Sequence, residues 1–88
     1  MQMTASKYAL LRRRQVEAES GLPRSTLYLR MTQKLWVRPV RLGPRSVGWF
    51  AHECAAINAA RAAGWSDDEI KELVARLEKD RLTAIERV

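Results

Sequence analysis

The 88-residue sequence predicts a mainly α fold: a small winged helix–turn–helix domain with a short two-stranded β-hairpin wing and additional C-terminal helices. Three observations predict it. A Gly-Leu-Pro turn at residues 21–23 joins two short helical patterns, and two alternating arginine-bearing runs meet at Gly43-Pro44. The third is charge, because the basic residues are concentrated in the first half of the chain.

The elements follow in order. Residues 1–7 read as a flexible N-terminal tail, and YALL at 8–11 as a short extended piece. Residues 14–20 form a short helix carrying Val16 and Ala18, closed by Gly21 as a left-handed C-cap. Leu22 is the apolar residue inside the tight turn. Pro23 suits the first position of the next helix, where its missing N–H would be unpaired anyway. That helix spans residues 23–34. Leu27, Met31 and Leu35 recur at i, i+4, i+8 with Tyr28 beside them, giving one apolar stripe. Ser25, Thr26, Leu29 and Gln33 project from the opposite side, with Arg30 on the flank. Arg24 points partly toward the core, so its guanidinium must reach around the helix start.

VRPVRL and RSVGW read as a hairpin joined at Gly43-Pro44. Val40, Leu42 and Val47 are expected to face the core, with Arg41 and Arg45 outward. Pro39 fits an edge strand. A two-stranded hairpin must pack on helices, and Trp36 and Trp49 are its expected anchors. An Ala-rich helix at 51–63 ends at Gly64. Ser66-Asp67-Asp68-Glu69 then forms a capping box, with Trp65 and Ile70 as a hydrophobic staple. Ile70, Leu73, Val74 and Leu77 make the buried stripe of the last helix, extended by Leu82 and Ile85. The winged domain is assigned to residues 8–64, and the capped helix at 65–88 packs on it or extends it.

Composition narrows the function classes. A chain of this length builds one domain with little room for a buried active site. It is 47% hydrophobic and 30% charged, the mixture of a soluble globular domain. No apolar run approaches the roughly 20 residues of a membrane span, and MQMTASK lacks a signal-peptide core. A cytoplasmic protein that binds no membrane is expected. The single cysteine, Cys54, excludes an intramolecular disulfide; with His52, the one histidine, it falls short of a four-ligand zinc site. Both read as packing or surface residues, and no cofactor is expected. Cys54 and His52 are two positions apart on a helix and point away from each other, and no phosphate loop or paired carboxylates are present. An enzyme is not expected.

The formal net charge is +6. Residues 1–50 hold ten Lys/Arg against two acids, whereas residues 51–88 hold six against eight. Such asymmetry is the electrostatic footprint expected of a protein that binds a polyanion on one part of its fold.

LLRRRQVEAESGLPRSTLYLRM followed by RPVRLGPRSVGW resembles the AlpA family of phage and prophage transcriptional regulators. The resemblance covers residues 10 to about 64, and SDDEIKELVARL is similar to a C-terminal extension of some members. It implies membership of the wider MerR-like winged-helix group, together with phage excisionases, and binding to double-stranded DNA. By the same matching, Arg24, Ser25, Thr26 and Tyr28 fall on the recognition helix, and Arg41 and Arg45 on the wing. Three positions depart from the common pattern. Pro23 stands where many relatives carry a hydroxyl, and Leu29 at a position that is often arginine or glutamine. Lys34 replaces the usual terminating glycine, so it or a neighbour should adopt a left-handed conformation.

On this reading Arg41, Arg45, Lys7 and the arginine run at 12–14, notably Arg12 and Arg14, neutralise phosphates, which adds affinity without sequence information. Arg24 and Arg30 reach guanine O6/N7 or phosphate, and Ser25 and Thr26 suit a groove edge or the backbone. The chain then acts as a regulator of a phage or mobile element, with copies on adjacent sites as a possible homo-oligomer. The alternatives are an excisionase-type architectural DNA-binding factor and an antitoxin-like protein-interaction module.

Overall fold

In a computed structural model, residues 7–87 are described. The element order is β1 (Leu10–Leu11), α1 (Arg13–Ser20), α2 (Arg24–Thr32), β2 (Val40–Gly43), β3 (Ser46–Phe50), α3 (Ala51–Ala62) and α4 (Asp67–Asp80), followed by a 3-10 helix at Arg81–Arg87. This is the small, mainly α winged helix that the sequence predicts, with one strand more than expected. The expected N-terminal tail lies outside the described residues except for Lys7, as does Val88.

Helix α1 starts where the Arg12 N–H donates to Gln15 Oε1 at 2.8 Å. It ends at Gly21, whose φ of 72° is the left-handed conformation that glycine adopts without steric cost. There the Gly21 N–H bonds the Glu17 carbonyl at 2.9 Å. Val16 is fully buried. Ala18, expected beside it, is exposed, because two residues along a helix turn the side chain by about 200°. Ser20 is buried instead, and its Oγ accepts from the Leu22 N–H at 3.1 Å. Leu22 itself is buried in the turn, as expected.

Pro23 is the N-cap of α2 rather than its first residue. Its φ of −66° suits a helix, but its ψ of 163° is extended, and its carbonyl accepts the first helical bond from the Leu27 N–H. At the other end Lys34 has φ 63°, the left-handed residue expected there. The Leu35 N–H closes the helix end on the Arg30 carbonyl at 2.8 Å.

The hairpin does not stand as a pair. The sheet has the order β1-β3-β2, all antiparallel, because Leu10 and Leu11 pair with Phe50 and Trp49. Between β2 and β3, Val40 faces Gly48, Arg41 faces Val47 and Gly43 faces Ser46, with an irregularity between Arg41 and Gly43. That irregularity interrupts the simple alternation of faces. Leu42 and Val47, expected in the core, are instead 41% and 39% exposed, and Val40 is half-buried. Leu42 lies on the outer face of the sheet. A Cβ on Gly48 would meet its Cδ1 at 3.0 Å and the Leu11 carbonyl at 3.2 Å. Glycine at 48 lets the side chains of Leu10 and Leu42 settle over the strand.

The core gathers Val16, Leu27, Trp36, Trp49 and Ile57 with Ile70, Leu73 and Val74 of α4. Trp36 and Trp49 are almost wholly buried, as expected of hairpin anchors. The Trp49 indole N–H donates to the Val37 carbonyl at 3.2 Å, so this large apolar burial leaves no unpaired donor at Trp49. Helix α4 opens with the expected capping box: Ser66 Oγ accepts from the Glu69 N–H at 3.2 Å, and Glu69 Oε1 from the Ser66 N–H at 2.9 Å. Trp65 remains 42% exposed while Ile70 is buried, so the expected staple leaves much of its first member in solvent. Leu82 and Ile85 do not extend the stripe and are 79% and 76% exposed. The chain tightens into a 3-10 helix at Arg81, where three residues per turn replace 3.6 and carry later side chains off the buried face.

Lys34 is a non-glycine residue in the left-handed region, where a Cβ costs roughly 1–2 kcal/mol. Lys34→Gly should therefore raise unfolding free energy by about 0.5–1 kcal/mol, once the extra freedom of the unfolded glycine is subtracted. Urea unfolding of the two proteins measures it.

Candidate nucleic-acid interface

The α1–α2 turn is fixed from behind by α3. A helix leaves its last carbonyls without intrahelical partners. Here Asn58 Nδ2 donates to the Glu19 carbonyl and Arg61 Nη1 to the Ser20 carbonyl, both at 2.8 Å. Arg61 also donates to Asn58 Oδ1 at 2.9 Å, tying the two side chains into one clamp.

With the turn held, α2 buries Leu27 and Met31 and turns outward Arg24 and Ser25, then Tyr28 and Leu29, then Thr32 and Gln33. These pairs recur every four residues and form two adjoining rows along one helix face. Three expectations are corrected. Tyr28 is 38% exposed rather than part of the core stripe, and Thr26 is half-buried rather than fully outward. Arg24 is exposed and need not reach around the helix; its guanidinium sits over the Tyr28 ring at 5.9 Å. Arg30 is half-buried on the flank, as expected. Thr32 is partly committed, since its hydroxyl donates to the Leu29 carbonyl at 2.6 Å.

Arg41 is exposed on β2, and Arg45 is exposed in the hairpin turn. Arg12 and Arg14 are exposed at the start of α1, whereas Arg13 between them is ion-paired with Glu17. Lys7 is grouped elsewhere: its Nζ lies 5.7 Å from the Tyr8 ring centroid, in a cleft shared with Phe50, Arg81 and Arg87.

Arg38 was not singled out from the sequence, yet it is exposed and lines an open groove with Tyr28, Thr32 and Pro39, where α2 meets the root of the wing. Its backbone is held on both sides. The N–H donates to Glu78 Oε2 at 2.8 Å, and the carbonyl accepts from Arg81 Nη2 at 2.7 Å. Arg81 in turn grips Glu53, a carboxylate only 1% exposed, through bonds of 2.9 and 2.6 Å. These partners are separated by 28 to 43 positions, so no local pattern announces them. The repeat of exposed pairs at 24/25, 28/29 and 32/33, four residues apart, was the available signal for Thr32 and Gln33.

Cys54 and His52 occupy the packing positions expected of them. Cys54 is fully buried, and His52 packs edge-on against Tyr8 and tilted against Phe50, at ring separations of 5.5 and 5.7 Å. Burial, with a further contribution from the Glu53 charge, pushes the Cys54 thiol pKa up to about 12. A thiol reagent at pH 8 should leave the native protein unlabelled and label it fully in denaturant. Above the ordinary thiol pKa the unfolded chain releases this proton while the folded one retains it, so stability should fall as pH rises from about 9 toward 12.

Arg81→Ala strands a buried carboxylate and frees the wing root. Breaking one partner of such a pair costs about 3–5 kcal/mol, and denaturant unfolding of the variant should show a loss of that size.

Among the described residues, no helix is long and apolar enough to cross a membrane. No curated protein and no solved structure matches the chain. A family model does: that of the Prophage CP4-57 regulatory protein (AlpA) matches residues 9–56, from the residue before β1 into α3. The matched segment takes in the clamped turn, the outward face of α2 and the whole hairpin, and it covers more than half of the chain, which belongs to the AlpA family of prophage regulatory proteins.

Proposed function

We propose that this AlpA-family protein is a sequence-specific, DNA-binding transcriptional regulator of a phage or mobile element. It lays α2 in the major groove and the β2–β3 wing along the neighbouring backbone. The observation that carries the reading is the double row of exposed side chains on α2 beside a hairpin bearing Arg41 and Arg45. A helix enters the major groove with its outward face, and a wing cation meets phosphate. The MerR-like winged helix–turn–helix plan implied by the sequence motifs belongs to the same proposal, as do a cytoplasmic setting and a binding role without catalysis.

Roles divide by chemistry. Arg12, Arg14, Arg38, Arg41 and Arg45 neutralise phosphates. Arg24, Ser25, Tyr28 and Gln33 lie on the face that meets base edges, while Thr26 and Arg30 stand on its flank, within reach of the backbone. A single short reading helix specifies few base pairs, so two copies on adjacent sites fit this arrangement.

Five or so phosphate contacts should give a log–log salt slope of roughly −4 to −5 in a duplex titration. Arg41→Ala and Arg45→Ala should weaken binding to the selected site and to random duplex alike, and Ser25→Ala should change the ratio between them. A flat salt response would remove the electrostatic basis of the reading. Wing variants that altered base preference while Ser25→Ala did not would reverse the roles.

A further inference from the structure

The face of α2 holds one residue that a polar reading surface does not account for. Leu29 is 54% exposed, more than Tyr28 beside it, although Leu27 and Met31 of the same helix are buried. It lies between Ser25, one turn earlier, and Gln33, one turn later, in a single exposed row. The adjoining row already has partners within the protein: the Arg24 guanidinium lies over the Tyr28 ring, and the Thr32 hydroxyl donates to the Leu29 carbonyl. Leu29 presents an isobutyl group with no donor or acceptor at the centre of this face.

We infer that Leu29 is a specificity-determining residue that reads the C5-methyl group of one thymine in the major groove. The inference rests on the proposed role of α2 as the reading helix. Among the groups displayed in the major groove, the thymine methyl is the apolar one, and every other edge offers hydrogen-bonding atoms. An isobutyl group set against guanine O6 and N7 or the adenine edge would strip water from those atoms without replacing the bond, whereas against a methyl both surfaces leave water favourably. The flanking hydroxyl and amide restrict this apolar contact to the width of about one base pair. The basic wing supplies the charge that makes duplex DNA, rather than an apolar protein surface, the occupant of this face.

The test begins by selecting the preferred duplex from a random pool with wild-type protein. Each thymine of that duplex is then replaced singly by deoxyuridine, which removes only the methyl group. Wild type should lose about fourfold in affinity at one thymine, the fold-change that corresponds to one buried methyl-sized group. Leu29→Ala should bind the parent duplex more weakly and no longer distinguish thymine from deoxyuridine at that position. Leu29→Gln, which keeps the length of the side chain but not its apolar end, should also lose the distinction, so the test does not depend on one variant remaining folded. The inference is overturned if no thymine is methyl-sensitive, or if the sensitivity survives undiminished in both variants. Those results leave the DNA-binding reading standing as long as wild type selects a site and Ser25→Ala weakens that selection. If wild type selects no duplex at all, both fall together.

Discussion

The placement of the outward face of α2 depends on how α1 ends. An isolated eight-residue helix has little stability of its own, and its last carbonyls need partners from outside the helix. The left-handed Gly21 turns the chain, and Asn58 and Arg61 on α3 take up the carbonyls of Glu19 and Ser20. The turn is therefore fixed by a side-chain pair from a helix nearly forty positions later in the chain. Leu22, Leu27 and Met31 then complete the buried side of α2, and the remaining residues have only one direction in which to face. Arg61, which from charge alone reads as one more surface cation, supports the α1–α2 turn from behind.

The second half of the molecule acts on the first through the backbone of Arg38. Glu78 holds its N–H and Arg81 its carbonyl, and the buried Glu53 keeps Arg81 in place. Carboxylates that would repel a polyanion if displayed beside the wing are used instead to anchor its root. The charge asymmetry of the sequence thus has a structural side: basic residues lie along the hairpin and the start of α1, and acidic residues cap α4 or hold the frame. The rotation from an α to a 3-10 helix at Arg81 belongs to the same arrangement, since it turns Leu82 and Ile85 outward just where the arginine reaches inward.

What was legible in the sequence was local. Gly21 as a C-cap, the Ser66–Glu69 box and the burial of Trp36 and Trp49 each follow from residue type and immediate neighbours, and each is found; the left-handed Lys34 followed instead from the family resemblance, and it too is found. The apolar period of α2 gave Leu27 and Met31 correctly but misplaced Tyr28, because an aromatic ring next to a core stripe has the same spacing whether it turns in or out. The faces of the hairpin were misread at Leu42 and Val47 because simple alternation fails at an irregular register, which only the pairing partner reveals. The pairing of Leu10 and Leu11 with β3, the α3 clamp and the hold on Arg38 are contacts between distant segments, and composition and spacing carry no record of them. For the candidate interface, the outward placement of Ser25, Arg41 and Arg45 was readable, while Arg38 emerged only once its neighbours in the groove were known.

The third strand also closes a route to self-association. A sheet with free borders offers unpaired N–H and C=O groups to any extended chain nearby, which is how many small β-containing proteins aggregate. Here one border is β1, only two residues long, and the other is β2, which has Pro39 just before it and Pro44 just after it. Proline has no N–H to offer at either end of that border, and Arg41 adds a charge along it. On the proposed function, in which copies gather along a polyanion, the same hairpins would come close together, and these short, blunted borders would let the copies crowd without knitting into a continuous sheet.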